Sequence, residues 1–188
     1  MKPQLLLASR SPRRAQLLRQ AGFAFRVHPT DLPEQPAPGQ APGDYALALA
    51  VAKARAAPAG GLPVLGADTD VAVDGEILGK PRDCAHALAM LARLSGRTHQ
   101  VFSAVAVVAG DGFDSVLSVT EVTFGGIRPE EARAYWDSGE AADKAGAYAI
   151  QGRAARWVRT LRGSYSGVVG LPLYETCQLL GRFGVTPR

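Results

Sequence analysis

The chain contains little cysteine and little histidine, and this limits the covalent and metal chemistry that it can perform. Its 188 residues include two cysteines and three histidines. Cys84 and Cys177 have neither metal-ligand spacing nor a disulfide framework, so we expect reduced thiols. His28, His86 and His99 do not form a metal-binding pattern either. No serine or cysteine lies in a recognisable nucleophile elbow, and covalent catalysis is therefore disfavoured.

Long apolar runs and basic tracts are also absent. The apolar run "LLLA" is too short for a signal-peptide core, and no stretch is long enough to span a bilayer, so we expect a cytoplasmic protein without a membrane partner. The net charge of +4 favours anionic partners, but the basic residues are scattered, which argues against nucleic acid. A small anionic ligand is the expected partner. The length and the 47% hydrophobic fraction predict a single domain over residues 1–188.

Lysine is scarce, because nearly all of the positive charge is arginine. Apart from Lys2, the only lysines are Lys53, Lys80 and Lys144. In such an arginine-rich chain these three are candidates for functionally placed groups, although chance also explains them. The usual nucleotide-binding fingerprints, the Walker sequence and G-x-G-x-x-G after a strand, are missing.

Helical and strand patterns alternate along the chain, with hairpins between them, which predicts an α/β fold with a central mixed, twisted sheet flanked by helices. The predicted elements are strand 5–8, a helix from Ser11 to Gly22, the strand "FAFRVH", a proline-rich loop 30–44, helix 45–57, strand 64–67 followed by a polar interruption, a hairpin turning at 74–75, a helix from 83 to 96, strands 98–109 and 114–124, helix 129–138, the strand "RWVRTL" and helix 172–183.

The stretch "LASRSPRR" joins the first strand to the first helix. Such a turn presents free backbone N–H groups at the positive end of a helix and is a natural phosphate site. Ser9, Arg10, Arg13 and Arg14 add hydroxyl and guanidinium donors that match phosphate oxygens. The alternative interpretation is a solvated helix face.

Two further stretches carry groups suited to phosphate chemistry. In "GADTD", Asp68 follows four apolar residues at a predicted strand end, where it can bind Mg²⁺, accept a proton from water, or merely cap a turn. Asp70 shares its face of the strand and is either a second metal-facing acid or a turn residue. In "LGKPRD", Lys80 either neutralises phosphate or lies on the surface. Basic groups combined with carboxylates indicate metal-assisted hydrolysis of a phosphoanhydride.

Taken in order, "LASRSPRR", "LGADTD", "LGKPRD", "LSGRTHQVFSAVAV", "DKAGAYAIQG" and "VVGLPLYET" resemble the Maf family of nucleoside triphosphate pyrophosphatases, over about residues 5–180. The resemblance implies a fold similar to the inosine triphosphate pyrophosphatases, with two lobes around a nucleotide cleft. It also implies the reaction NTP + H₂O → NMP + PPi and dependence on a divalent cation, Mg²⁺ or Mn²⁺. A homodimer is compatible with this family.

The resemblance also assigns roles to individual residues. It makes Asp68 the proton acceptor and, together with Glu34, a metal ligand. The phosphate-binding residues that it implies are Ser9, Arg13, Arg14, Lys53 and Lys80. Arg13, Thr69 and Gln151 match the family branch that acts on dTTP and UTP, whereas the branch resembling the 7-methyl-GTP pyrophosphatases has Trp, Gln and Glu there. The sequence departs from the family at Asp70, usually aliphatic, and at Gly167, usually Asn.

Two other functions are compatible with the family. Maf proteins are linked to septum formation and cell-division arrest, so a non-catalytic regulator that binds nucleotide or nucleic acid is one alternative. A binder would need the basic turn but not Asp68, Glu34 and Lys80 as well, which favours an enzyme. Cleaning modified pyrimidine nucleotides from the pool would be the same chemistry on a different physiological substrate.

Overall fold

The computed structural model describes residues 2–188, which form a mixed sheet of seven strands. The strands are β1 (Leu5–Ala8), β2 (Phe25–Val27), β3 (Val64–Val73), β4 (Glu76–Ile77), β5 (Thr98–Ala109), β6 (Gly112–Phe124) and β7 (Val158–Arg162). Their order across the sheet is β2-β1-β3-β5-β6-β7, and the short β4 pairs with β3. The predicted α/β class with a mixed central sheet is confirmed.

Six α-helices flank the sheet within residues 2–188. They are α1 (Pro12–Gln20), α2 (Pro42–Ala56), α3 (Cys84–Leu94), α4 (Pro129–Asp137), α5 (Tyr165–Val169) and α6 (Leu173–Arg182). Single 3₁₀ turns lie at Ala145–Ala147 and Arg153–Trp157. No helix in this part of the chain combines the length and the apolar composition needed to cross a membrane.

The parallel and antiparallel parts of the sheet meet along β3. β1 pairs in parallel with β2 and β3, and its last residue, Ala8, lies opposite Gly66. β3 continues beyond that point because β5 pairs with it in antiparallel orientation as far as Ala72. Asp68 therefore lies just past the carboxyl end of the parallel strands although it is in the middle of β3. Ligands of α/β sheets commonly bind at this edge.

Helix α2 packs directly on the β3 face that carries Gly66, Asp68 and Asp70. A Cβ atom at Gly66 would lie 2.2 Å from the carbonyl oxygen of Ala50 and 2.6 Å from the Ala54 nitrogen, so only glycine permits this approach. Side chains two residues apart share one face of a strand. The close contact brings α2, including its Lys53, against the two aspartates.

The long strands β3, β5 and β6 connect two lobes with separate hydrophobic clusters. In the first lobe α1 and α6 pack against the sheet, with Leu7, Leu18 and Leu179 buried between them. In the second lobe α3 and α4 bury Leu91 and Tyr135. The predicted two-lobe architecture is confirmed, and polar side chains of β3 line the cleft between the lobes.

The main error of the sequence-based prediction concerns β3. The polar interruption predicted after residue 67 is wrong, since β3 runs without a break from Val64 to Val73. Aspartate by itself disfavours strands, but pairing with β5 holds Asp68 and Asp70 in the sheet. The hairpin turn at Asp74–Gly75 is confirmed, with positive φ at both residues, as a type I′ turn requires.

Smaller differences occur at the ends of other elements. Helix α2 begins at Pro42 rather than at Tyr45, because proline fits the first helical position and shortens the predicted loop. Strand β2 is limited to Phe25–Val27, since only these residues pair with β1. The "RWVRTL" strand starts at Val158, after a helical turn, and helix α5 was not predicted.

Candidate active site

A cleft of about 490 Å³ lies between the lobes, within the range of roughly 300–1,000 Å³ that is usual for small-molecule sites. All residues to which the family resemblance assigned a role line it: Ser9, Arg13, Arg14, Glu34, Lys53, Asp68, Thr69, Lys80 and Gln151. The candidates Arg10 and Asp70 line it as well. The three internal lysines also meet here, including Lys144. Residues far apart in the chain are thus brought together at one site.

The turn between β1 and α1 forms one wall of the cleft. Ser11 caps α1, and its Oγ accepts a hydrogen bond from the Arg14 backbone nitrogen at 3.4 Å, with Pro12 at the first helical position. Ser9 is buried, and its Oγ accepts from the Ser11 nitrogen at 3.1 Å. The predicted arrangement of strand, cap and helix start is therefore present, with donors facing the cleft.

The arginines of this turn have different surroundings. The Arg14 guanidinium donates to the Gly170 carbonyl at 2.8 Å, and to the hydroxyls of Ser9 and Thr69 at 3.3 Å each. It thereby joins β1, β3 and the loop before α6. Arg13 instead lies 3.9 Å from the Asp143 carboxylate, a weak contact that leaves its side chain available to a ligand.

The centre of the cleft is an ion-paired chain of two lysines and two acids. Lys53 Nζ lies 2.7 Å from Asp68 Oδ1 and 2.7 Å from Glu34 Oε1. Lys80 Nζ lies 2.5 Å from Glu34 Oε2. Lys53 and Asp68 are each buried, whereas Glu34 and Lys80 are open to solvent on the cleft side. These ion pairs hold Asp68 in a fixed place in the cleft that the β1–α1 turn also lines.

The pKa of Glu34 responds to these lysines. Partial burial by itself would raise the pKa of this carboxyl, but the hydrogen bonds from Lys53 and Lys80 outweigh it and lower the pKa to about 2. Glu34 is therefore a carboxylate throughout the physiological range. A permanently charged acid at the cleft entrance can act as a ligand for a cation.

Asp70 is the second acid on the cleft face of β3, and its pKa is shifted in the opposite direction from that of Glu34. Its side chain is 7% exposed, and its buried Oδ2 has no hydrogen-bond partner among residues 2–188. Burial raises the pKa of Asp70 well above its usual range, and the adjacent Asp68 charge raises it further. In the absence of a cation Asp70 is therefore a neutral acid at physiological pH, and its proton lies beside the charged Asp68.

The opposite wall comes from the segment between Ala145 and Gln151. It packs tightly on β3, since a Cβ atom at Gly146 would lie 2.9 Å from Val71 Cγ1. Ala147 is buried with φ of 59°, a rare backbone conformation for a residue other than glycine. Such strain occurs at sites where the surrounding structure fixes the backbone. This packing sets the position of Gln151 at the rim of the cleft.

Tyr148 of the same segment is held from behind by His99 of β5. The His99 Nε2 atom lies 2.8 Å from the Tyr148 hydroxyl. Both side chains are buried, and burial lowers the pKa of His99 to about 4 and raises that of Tyr148. The pair is therefore neutral at physiological pH and keeps the Tyr148 ring against the cleft.

Several residues of the cleft carried no assigned role in the sequence analysis. Among those with polar or aromatic side chains are Tyr45, Asp143, Lys144 and Tyr148. The scarcity of lysine did single out Lys144, whose ammonium contacts Asp143. Tyr148 lies inside the motif "DKAGAYAIQG", but nothing local distinguishes a ring that lines a cleft from one that fills a core. Tyr45 belongs to an alanine-rich helix and gave no signal.

The fold and the cleft together define an α/β protein with a site for a small, highly charged anion. Donors from the β1–α1 turn and lysines from two elements face carboxylates of β3 and of the loop containing Glu34. Arginine and lysine side chains are the usual partners of phosphate oxygens. A site that combines them with carboxylates is typical of proteins that bind and process phosphoanhydrides.

The chain belongs to the Maf family: the sequence model for Maf-like proteins matches residues 4–183. It is 48% identical over 186 residues to a dTTP/UTP pyrophosphatase of Methylobacillus flagellatus, covering 97% of this chain and 94% of the relative. It is 49% identical to a dTTP/UTP pyrophosphatase of Methylococcus capsulatus, covering 97% and 92%. A third relative with that name, from Anaeromyxobacter dehalogenans, is 50% identical, covering 98% and 96%.

Proposed function

We propose that the protein, as one domain over residues 1–188, is a nucleoside triphosphate pyrophosphatase that converts dTTP and UTP to the monophosphate and diphosphate. One observation carries this proposal: the buried Lys53–Asp68 ion pair lies in the same cleft as the basic β1–α1 turn, which is suited to bind phosphate. Full-length relatives named dTTP/UTP pyrophosphatase support it. A purely binding protein would require the donors but not an acid fixed beside them.

Asp68 is the proton acceptor in the mechanism that we propose. As a carboxylate held by Lys53, it orients a water molecule and takes its proton while the water oxygen attacks the α-phosphorus. The bond from the α-phosphorus to the bridging oxygen breaks, and diphosphate leaves with its negative charge. Lys53 and Lys80 line the same cleft and would neutralise that charge, and Arg13 would add a guanidinium from the β1–α1 turn.

The acids of the cleft suit a divalent cation of the Mg²⁺ or Mn²⁺ type. Carboxylate oxygens are the preferred ligands of such ions, and Asp70 Oδ2 is a buried oxygen with no partner within residues 2–188. No three His, Cys, Asp or Glu side chains in that part of the chain form a complete metal cage. Magnesium is commonly held by one or two carboxylates plus substrate phosphates. Asp68 and Glu34 would hold the cation, which supplies charge neutralisation at the phosphates.

The base specificity that we propose depends on Gln151, Thr69 and Arg13. The Gln151 amide both donates and accepts, so it can pair with the adjacent carbonyl and N–H of uracil or thymine. Thr69 is fixed by Arg14 at 3.3 Å and donates to the Gly170 carbonyl at 3.4 Å, which shapes the pocket beside Asp68. Uracil and thymine differ by one methyl group, which a pocket distinguishes only weakly.

The test is a comparison of nucleotides with purified protein and Mg²⁺. Incubation with dTTP, UTP, ATP, GTP and 7-methyl-GTP, followed by separation of the products, should give monophosphate and diphosphate mainly from dTTP and UTP. Equal hydrolysis of purine nucleotides would refute the base preference but not the reaction. Absence of hydrolysis of every nucleotide, despite binding, would favour the non-catalytic regulator.

A further inference from the structure

The ion pairs between the lysines and the acids of the cleft leave one carboxyl group, that of Asp70, without a charge partner. Lys53 is shared by Asp68 and Glu34, and Lys80 binds the second oxygen of Glu34. Asp70 forms no ion pair among the described residues, and its Oδ2 is buried without a hydrogen bond. A buried carboxyl oxygen that lacks a donor is costly, because nothing replaces the water that it has lost. In the cation-free protein a proton next to Asp68 compensates for this loss, and a divalent cation bound at the same place would replace that proton.

The strand geometry places this oxygen of Asp70 beside Asp68, the proposed proton acceptor. In β3 the alternation of side chains puts Asp68 and Asp70 on one face, opposite Ala104 and Phe102 of β5 in register. Both side chains line the cleft, as do Tyr45, Leu49 and Lys53 of α2. By contrast, the Lys53 ammonium already lies between Asp68 and Glu34, within 2.7 Å of each. The free acceptor next to Asp68 therefore belongs to Asp70.

We infer that Asp70 is a direct ligand of the divalent cation in addition to Asp68 and Glu34, so that Asp68 and Asp70 form a two-carboxylate seat on the cleft face of β3. This inference rests on the proposed function, since it concerns the cation of the same reaction. Two carboxylates with open positions match the way in which proteins usually hold Mg²⁺ or Mn²⁺ together with phosphates and water. The seat also explains why a carboxyl group is maintained at a buried position without an ion-pair partner.

A binding measurement with Mn²⁺ alone tests the seat without using catalysis. Titration of Mn²⁺ into wild-type protein, followed by the electron paramagnetic resonance signal of the free ion, gives the affinity. Asp70→Asn should weaken that affinity by at least about tenfold, the lower limit for losing a residue that supports a metal site. Asp74→Asn is the matched control, because Asp74 is an exposed acid of the adjacent turn that pairs with Arg97 outside the cleft.

Thermal unfolding with and without Mn²⁺ separates binding from a structural effect. In chelator, Asp70→Asn should melt at the wild-type temperature or above it, because it nearly preserves the shape of the side chain, removes an acid whose charge would lie beside that of Asp68, and provides an amide donor toward Asp68. In saturating Mn²⁺ the wild-type protein should gain more in Tm than the variant, since a ligand stabilises in proportion to its affinity. A variant that is equally destabilised in both conditions would show that Asp70 is structural and would overturn the inference.

The remaining outcomes distinguish this inference from the proposed function. Unchanged Mn²⁺ affinity in Asp70→Asn, with weaker binding in Asp68→Asn, would overturn the role of Asp70 and leave the metal role of Asp68 intact. Absence of Mn²⁺ binding to the wild-type protein would overturn the two-carboxylate seat. UMP formation from UTP by the same wild-type preparation would then still support the proposed hydrolysis.

Discussion

Replacing Lys53 with methionine tests the ion-paired centre of the cleft. The substitution preserves an unbranched apolar stem as far as the ε position but removes the ammonium that lies 2.7 Å from both Asp68 and Glu34. Asp68 then loses its counter-ion in a buried position, since its side chain is 7% exposed. Removing one partner of a buried ion pair costs about 3–5 kcal/mol. We expect the lower limit, because Glu34 keeps Lys80 and is open to solvent.

Expressed as a melting temperature, a loss of about 3 kcal/mol corresponds to roughly 6–12 °C for a chain of this size. Lys80→Met is the matched control: its side chain is 53% exposed, and an exposed pair contributes only about 0–1 kcal/mol. The double variant Lys53→Met/Asp68→Asn removes both charges and should recover most of the loss. Mg²⁺ should raise the Tm of Lys53→Met more than that of the wild-type protein, because the ion can replace the missing charge.

The assay is urea and thermal unfolding, followed by circular dichroism, in chelator and in Mg²⁺. If Lys53→Met unfolded like the wild-type protein in chelator, the buried ion pair would not contribute to stability as the geometry requires. If the double variant were no more stable than Lys53→Met, the loss would come from packing of the lysine stem rather than from the uncompensated charge of Asp68.

Three further predictions follow from the site. Asp68→Asn should lower kcat for UTP by about 10²–10⁴-fold, the usual contribution of a general base; retention of a tenth of the activity would exclude that role. Gln151→Glu should lower kcat/KM for UTP at unchanged Tm, because a carboxylate repels the pyrimidine carbonyls; an unchanged nucleotide ranking in product assays would contradict this. Since His99 has a folded pKa of about 4 against 6.5, its contribution to stability is complete above pH 6.5 and is lost as the pH falls to 4. This loss is roughly 3 kcal/mol and should be missing from the pH profile of the free energy of unfolding of His99→Gln, measured by urea unfolding across that range.

Local chemistry was sufficient to predict the β1–α1 turn. Ser11 as cap and Pro12 as first helical residue are short-range signals, and the structure contains both. The Asp74–Gly75 turn was predictable for the same reason, because its backbone conformation requires residues of this kind. Lysine scarcity was informative as well: a charge type that the chain otherwise avoids is concentrated in the cleft.

The properties of β3 were not predictable, because they depend on partners distant in sequence. Asp68 was expected to end a strand, yet nine residue pairs with β5 carry β3 through it. Its burial against Lys53 follows from the contact of α2 with Gly66, which no local pattern reveals. The use of Arg14 to join three segments likewise depends on Gly170, 156 residues further along the chain. Long-range packing therefore determined the state of each charged group.

The most direct test of the central claim is the fate of the water oxygen. Hydrolysis of UTP in H₂¹⁸O, followed by mass spectrometry of both products, identifies the phosphorus atom that the water attacks. Attack at the α-phosphorus, with Asp68 as the proton acceptor, predicts one ¹⁸O atom in UMP and none in diphosphate. Label in the diphosphate, or release of inorganic phosphate in place of diphosphate, would contradict the account.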